Sequence, residues 1–256
     1  MSNMYKSNGN GDFKEKHGYI VEGRWYPRVT SILDIKAKPA LYRFYGGLES
    51  FARGEMIKQK SADEGTLLHQ AAERVLTGQY DGGVDPRIEP SVITLIDFIK
   101  NTNIQVDADW VEKRVINFRD RYAGTIDALA VIDGKFGVLD IKTSQSIYRD
   151  YNLQTAAYFS PLSETFDGLQ TRWILRVDQN QKCLRCGAKR RIKGGHEKIR
   201  KNGFNGDCLH DWSEMRGEIE LKEFPHWYED FEAFLAAKRL WEWENENSLK
   251  KIGYLL

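Results

Sequence analysis

The sequence has few cysteines and no long apolar run, and both shortages exclude whole classes of protein. Its three cysteines are an odd number, which disfavours paired disulfides and makes metal binding the better interpretation for an intracellular chain. No stretch of about 18 apolar residues occurs, and the first residues lack the apolar middle of a signal peptide. We therefore predict a cytoplasmic protein with no membrane partner.

An excess of charge of one sign is also missing. The 38 lysines and arginines are balanced by 37 acids, so the net charge is +1. Any attraction to nucleic acid must therefore come from a local patch and not from the chain as a whole.

The chain does have enough apolar residues to build one sizeable core. Hydrophobic residues make up 41% of it and aromatic residues 12%. Residues 1–18, rich in glycine, asparagine and serine, are predicted to form a flexible tail, and residues 19–256 a single domain. Helical periodicity before and after a central run of strand-like segments favours an α/β fold.

One stretch, GTIDALAVIDGKFGVLDIKTS at residues 124–144, places acids on both sides of an Asp-Gly pair. Asp-Gly between apolar runs is the strongest short-range signal of a hairpin closed by a two-residue type I′ turn. With Ile132 paired to Lys135, this register predicts that Asp127 lies directly opposite Asp140. Because facing carboxylates repel, we expect a divalent cation between them, and hard oxygen ligands suit Mg²⁺ or Mn²⁺.

The alternation of side chains along a strand adds a third polar group to this pair of acids. It places Lys142 on the face of Asp140, while Ile126 and Ile141 point to the opposite face. Two carboxylates, a cation and an ammonium are suited to hydrolysing a phosphodiester. The other interpretation is an ordinary hairpin with solvated acids. The neighbours on the acid-bearing face are apolar and favour a covered site: Leu129, Val131, Phe136 and Val138.

Four separated motifs occur in a fixed order along the chain. They are GTLLHQAAE with Gly-x-x-x-His, then GTID, then LDIKTS, then LQTAAY with Gln-x-x-x-Tyr. In this order they resemble the PD-(D/E)xK nuclease superfamily, in particular its RecB-like and phage exonuclease branch. The resemblance covers roughly residues 19–160. It implies a restriction-endonuclease-like core, in which a central mixed sheet is flanked by helices.

The resemblance also implies an activity and a set of site residues. The activity is a metal-dependent deoxyribonuclease, an exonuclease on single-stranded DNA or DNA ends in phage or bacterial recombination or repair. A phage-encoded protein would act in the host cytoplasm, with a recombination or replication protein as a possible partner. The implied metal ligands are His69, Asp127, Asp140 and the carbonyl of Ile141. Lys142 would be the catalytic lysine, and Gln154 and Tyr158 would contact nucleic acid.

The three cysteines lie together in residues 181–212, predicted as an insertion in the domain. Cys183-x-x-Cys186 is followed by Cys208-x-His210, a spacing typical of tetrahedral structural zinc. His196 is a second candidate for the fourth ligand. The other interpretation is a loop with incidental thiols, but the segment is too polar to build a core of its own, so a metal would organise it.

The same insertion contains the strongest local concentration of positive charge. Residues 182–203 include nine lysines and arginines and one acid, Glu197. A charge run is usually a solvated face, but beside a zinc motif it favours contact with phosphates. The predicted contacts are Lys189, Arg190, Arg191 and Lys193. On this interpretation, loss of the zinc should weaken DNA binding more than chemistry.

Two other functions stay open on the sequence alone. One is a non-catalytic nucleic-acid-binding adaptor that keeps a nuclease-like fold, and the other is a structure-specific endonuclease. Against the adaptor, a binding module has no need of opposed acids.

Overall fold

A computed structural model describes residues 9–203 and 207–255 of the chain. The helices within these residues are α1 (Gly9–His17), α2 (Val29–Leu33), α3 (Pro39–Gly46), α4 (Phe51–Leu76), α5 (Glu89–Asn101), α6 (Asp150–Ser163), α7 (Tyr228–Glu244) and α8 (Glu246–Lys251). The strands are β1 (Gly18–Val21), β2 (Arg24–Pro27), β3 (Ile104–Asn117), β4 (Tyr122–Ile132), β5 (Lys135–Lys142), β6 (Thr171–Lys182), β7 (Lys189–Lys193), β8 (His196–Arg200) and β9 (Arg216–Phe224).

The main sheet is mixed, and its order explains how the hairpin strands become central. β3, β4 and β5 form an antiparallel meander, and β6 runs parallel to β5 after the α6 crossover. β9 pairs with β6 in the antiparallel sense, and β7 and β8 extend the sheet from the end of β6. The predicted α/β class and central mixed sheet flanked by helices are confirmed.

Helices pack on both faces of the sheet and create two apolar cores. The first core joins β4 and β5 to α2, α6 and α7, with large aromatic side chains such as Tyr122 and Phe234. The second core joins the opposite face to α4 and α5, and includes Leu68, Leu95 and Leu175. Strands that are buried on both faces have near-continuous apolar sequences. A charged residue within such a strand is buried as well, so it requires a partner.

The prediction of a flexible tail does not hold for residues 9–18. The structure has helix α1 there, followed by β1. The indole N–H of Trp25 donates to the carbonyl of Lys14 at 3.0 Å, and the ring of Phe13 lies 6.0 Å from that of Trp25 and 6.3 Å from that of Trp241. Aromatic packing therefore orders a segment whose composition suggested a tail. Residues 1–8 lie outside the described part of the chain.

The helices of the described residues include none that is both long and apolar enough to cross a membrane.

Candidate functional site

The hairpin between β4 and β5 follows the predicted register for most of its length. Asp133 and Gly134 have φ angles of 50° and 81°, as a type I′ turn requires. The ladder runs from the pair Ile132–Lys135 to the pair Ala128–Leu139. It ends one position before the two acids, so the prediction that they form a directly opposed pair is wrong.

The side chain of Asp127 explains why the ladder ends there. Its Oδ2 accepts a hydrogen bond from the backbone N–H of Ile141 at 2.5 Å. Ile126 and Leu129 both lie in the first core, although strict alternation would put them on opposite faces. The alternation is therefore interrupted at Asp127, and the predicted orientation of Ile126 is wrong. Ile141 lies in the second core, as predicted.

Glu112 on β3 is a site residue that the sequence interpretation missed. The β3–β4 register pairs Val111 with Ala128 and Lys113 with Ile126, which places Glu112 across from Asp127. Its φ of 50° is uncommon for a residue other than glycine and marks an irregularity in the strand. One ligand atom each from His69, Glu112 and Asp127 lies within 4.8 Å of the other two.

Helix α4 brings His69 to this cluster. The Nδ1 atom of His69 lies 3.5 Å from Oδ1 of Asp127. Burial alone would lower the pKa of His69, but the Asp127 carboxylate raises it above its usual value. In return, burial would raise the pKa of Asp127, yet His69 and Lys142 lower it. The two side chains therefore stabilise each other's charged forms.

Asp140 is the most deeply buried acid of the site, with 2% of its side chain exposed. The Nζ of Lys142 lies 2.6 Å from its Oδ2, so the two side chains form an ion pair. The Oδ1 atom accepts from Nε2 of Gln154 at 3.3 Å, and the same Nε2 donates to the hydroxyl of Tyr158 at 3.0 Å. Gln154 thus supports Asp140. The contacts with nucleic acid that were predicted for Gln154 and Tyr158 stay predictions.

The pKa values of Asp140 and Lys142 shift in the same direction, for different reasons. Burial and the neighbouring Asp127 raise the pKa of Asp140 to about 6, against the opposing effect of Lys142. Burial would lower the pKa of Lys142, but Asp140 and Asp127 raise it. Glu112 is an exposed residue, and partial desolvation of its carboxyl together with repulsion by Asp127 raises its pKa to about 7. A group of acids with raised pKa values is costly to ionise together, and a bound cation relieves that cost.

Several of these residues border a cavity of about 680 Å³. The cavity is lined by His69, Glu112, Asp127, Gln154 and Tyr158, among others. Tyr19 and Arg28 also line it, and the guanidinium groups of Arg28 and Arg114 lie 4.5 and 4.2 Å from the ring centre of Tyr19. Acids and cations around one cavity suit an anionic ligand that meets a metal ion.

The cysteine segment forms a second candidate metal centre, between β6 and β9. Ligand atoms of Cys183, Cys186, Cys208 and His210 all lie within 4.8 Å of one another. The Sγ atoms of Cys183 and Cys208 are 3.9 Å apart, and Sγ of Cys186 is 3.4 Å from Nδ1 of His210. This four-residue set can hold a metal ion.

The alternative fourth ligand, His196, lies elsewhere. Its ring packs against that of Phe44 at 5.6 Å, and it pairs with Lys193 at the turn of the β7–β8 hairpin. The structure therefore selects His210 as the histidine of the cysteine cluster.

The four basic residues predicted to contact phosphates already have acceptors within the protein. Lys189 and Arg190 form ion pairs with Glu218 and Glu197 at 2.5 and 2.7 Å. Arg191 binds both oxygens of Asp178, and Lys193 donates to Thr143. Contact with nucleic acid stays a prediction for all four cations.

Neither the comparison with protein-family models nor the comparison with curated proteins finds a match for this chain.

Proposed function

We propose that this protein is a divalent-metal-dependent deoxyribonuclease that hydrolyses phosphodiester bonds. The observation that carries the proposal is the convergence of His69, Glu112 and Asp127 in one cavity, beside the ion pair of Asp140 and Lys142. The preference for single-stranded DNA or DNA ends, the PD-(D/E)xK core, the recombination or repair pathway and its protein partners rest on the sequence resemblance alone.

The donor set fits Mg²⁺ or Mn²⁺. One ligand atom each from His69, Glu112 and Asp127 already lies within 4.8 Å of the others, and carboxylate oxygens with one imidazole are suitable ligands for these ions. His69, Glu112 and Asp127 would hold the ion, with Asp140 and the carbonyl of Ile141 as further ligands that the resemblance implies. When bound, the ion would supply charge stabilisation and an activated water.

The other residues of the cavity position and balance charge. Lys142 places an ammonium beside the buried carboxylate, where it can offset negative charge that develops on a phosphate. Gln154 holds Oδ1 of Asp140, and Tyr158 holds Gln154. Arg28 lines the cavity, and Arg114 lies over the ring of Tyr19, which also lines it; both cations would attract the sugar–phosphate backbone without reading sequence.

We further propose that the Cys₃His cluster binds Zn²⁺. Three thiolates and one imidazole are a known ligand set for structural zinc, which is tetrahedral. The cysteine segment has little apolar core of its own, so the ion would contribute directly to its folding.

Labelled single- and double-stranded oligonucleotides incubated with Mg²⁺, Mn²⁺ or EDTA test the main proposal. We expect cleavage with either metal and none with EDTA. Asp127→Ala, Asp140→Ala and Lys142→Ala should each abolish cleavage while the circular dichroism spectrum stays unchanged. Asp133→Asn is the matched control, because it changes an exposed acid in the turn of the same hairpin.

Each alternative function has its own outcome in this assay. Binding without cleavage under any metal condition would support the non-catalytic adaptor. Cleavage of covalently closed circular DNA would support an endonuclease over an exonuclease. Full activity in any of the three alanine variants would refute the assigned site.

A further inference from the structure

The hairpin of β7 and β8 reaches from the cysteine cluster to the helix that carries His69. Its turn is formed by Gly194 and Gly195, with φ angles of 60° and 71°, as in a two-residue type I′ turn. The backbone N–H of Gly194 donates to both carboxylate oxygens of Glu64 on α4, at 3.1 and 3.2 Å. Glu64 precedes His69 by little more than one helical turn.

The contact between this turn and α4 leaves no room for a side chain at Gly194. A Cβ atom there would overlap the hydroxyl of Ser61 and the carbonyl oxygen of Ile57. A Cβ atom on Gly195 would meet nothing within 4 Å. The two glycines therefore share the same backbone requirement, but only Gly194 lies against the helix.

The hairpin also holds the residue that follows the catalytic lysine. Nζ of Lys193 donates to the hydroxyl of Thr143 at 2.7 Å and to its carbonyl. Nη2 of Arg191 donates to the same carbonyl at 3.1 Å, while its Nε donates to the two oxygens of Asp178 at 2.9 and 2.6 Å. Two donors from the hairpin thus make three hydrogen bonds to Thr143, the residue directly after Lys142.

The base of the hairpin is tied to the cysteine cluster. The backbone N–H of Cys183 donates to the carbonyl of Ala188, which precedes the first residue of β7, at 2.8 Å. The backbone N–H of Leu184 donates to the carbonyl of Asp211, which follows His210, also at 2.8 Å. β7 is mostly half-buried and β8 mostly exposed, and no residue of either strand is fully buried.

We propose that the β7–β8 hairpin is a positioning device for the hydrolytic site, with the Cys₃His cluster as its anchor. By fixing Thr143 and α4 to the same turn, it sets the position of Lys142 on β5 relative to His69 on α4. Arg191, Lys193 and Gly194 are positioning residues. This inference rests on the proposed nuclease function, and it gives the basic hairpin a role in catalysis instead of in DNA binding.

The two glycines supply the test. Gly194→Ala and Gly195→Ala impose the same strain of positive φ, but only the first pushes the turn away from α4. With Mn²⁺ and an oligonucleotide that the wild-type protein cleaves, we expect Gly194→Ala to lower kcat at least tenfold and to leave KM within twofold. Gly195→Ala should keep both constants within twofold of wild type.

Several results would overturn the proposal. The first is an unchanged kcat in Gly194→Ala, and the second is an equal loss of kcat in Gly194→Ala and Gly195→Ala. The third is a raised KM at unchanged kcat in Gly194→Ala, which would indicate that the hairpin is a DNA-binding surface. A wild-type protein that cleaves no nucleic acid refutes the proposed function itself. The two failures are therefore distinguishable.

A second variant covers the case in which Gly194→Ala fails to fold. Lys193→Met removes the ammonium that donates to Thr143 without changing the turn, and Lys193→Arg restores a donor at this position. We expect kcat to fall at least tenfold in Lys193→Met and to recover in part in Lys193→Arg. Faster amide exchange at Thr143 and Ser144 in Lys193→Met, at an unchanged Tm, is expected; exchange at the wild-type rate would overturn the proposal.

Discussion

Nζ of Lys142 lies 2.6 Å from Oδ2 of Asp140, and the exposed fractions of the two side chains are 16% and 2%. The lysine is the nearest cation to a carboxylate that Asp127 repels. A divalent ion that binds Asp140 must compete with this ammonium for the same oxygen. Lys142 thus stabilises the acid but opposes its use as a metal ligand.

Lys142→Met should separate metal binding from chemistry. Without the competing ammonium, we expect Mn²⁺ to bind at pH 8 at least as tightly as in wild type. Cleavage should fall by about 100-fold or more, because a cation near the reacting phosphate is lost. Isothermal titration and initial rates measure the two effects. Lys135→Met, which removes an exposed ion pair with Glu223 on the same hairpin, should change neither.

Loss of Mn²⁺ binding together with cleavage in Lys142→Met would contradict this prediction. It would mean that the lysine serves mainly to hold the local structure of the site.

Asp140 should make the stability of the protein in EDTA depend on pH. Burial and Asp127 raise its pKa from 3.8 to about 6, so the folded chain holds this proton more tightly than the unfolded chain. Stability is therefore lost as the pH rises from about 4 to about 6, and stays lower above that. The shift corresponds to on the order of 3 kcal/mol of unfolding free energy.

Urea unfolding in EDTA at several pH values measures this dependence. Asp140→Asn should show a smaller loss between pH 4 and 6 than wild type, with the remainder due to the raised pKa of Glu112, whereas Asp133→Asn should retain the full loss. Parallel curves for wild type and Asp140→Asn would show that Asp140 is not protonated preferentially in the folded state.

Glu112→Gln tests the ligand that the sequence interpretation did not identify. Its carboxylate belongs to the same cluster as His69 and Asp127. Loss of a residue that only hydrogen-bonds to a metal ligand typically weakens metal binding about tenfold or more, so loss of a ligand itself should weaken Mn²⁺ binding at least as much. Glu73→Gln is the matched control, because Glu73 lines the same cavity outside the cluster. Equal affinities in both variants would exclude Glu112 as a ligand.

The local signals in the sequence predict the hairpin of β4 and β5, and non-local contacts decide the rest. The Asp-Gly turn gives the register from Ile132 to Ala128, because a two-residue turn leaves no freedom in pairing. Glu112 could not be placed in the same way: residues 118–121 connect β3 to β4 without a short turn signal, so the pairing of Glu112 with Asp127 could not be derived.

The position at which the β4–β5 ladder ends could not be predicted from the sequence either. It depends on the hydrogen bond from Ile141 to the Asp127 side chain, which replaces a strand-to-strand contact. Alternation assumes that backbone groups pair with backbone groups, and a carboxylate that accepts one of those bonds breaks the assumption.

Composition also gives no sign of long-range partners. The basic residues of the insertion are predicted to contact phosphates, and nothing in their local sequence indicates that Arg191 and Lys193 have acceptors in Asp178 and Thr143. The partner of Lys193 lies 50 positions away in sequence, so no local pattern could have identified it. The spacing of the cysteines, in contrast, predicted a cluster completed by a histidine, although it left His196 and His210 open, and the structure brings His210 to the three cysteines.

The last prediction concerns the metal content of the cysteine cluster. Elemental analysis of the purified protein should find one zinc per chain, because the four ligand atoms of Cys183, Cys186, Cys208 and His210 already lie within 4.8 Å of one another. The double substitution Cys183→Ser with Cys186→Ser leaves too few ligands and should release the zinc. His196→Gln should retain it, because His196 packs against Phe44 instead. Iron with a visible absorbance band, or zinc that persists in the double variant, would contradict the assignment of a Cys₃His zinc site.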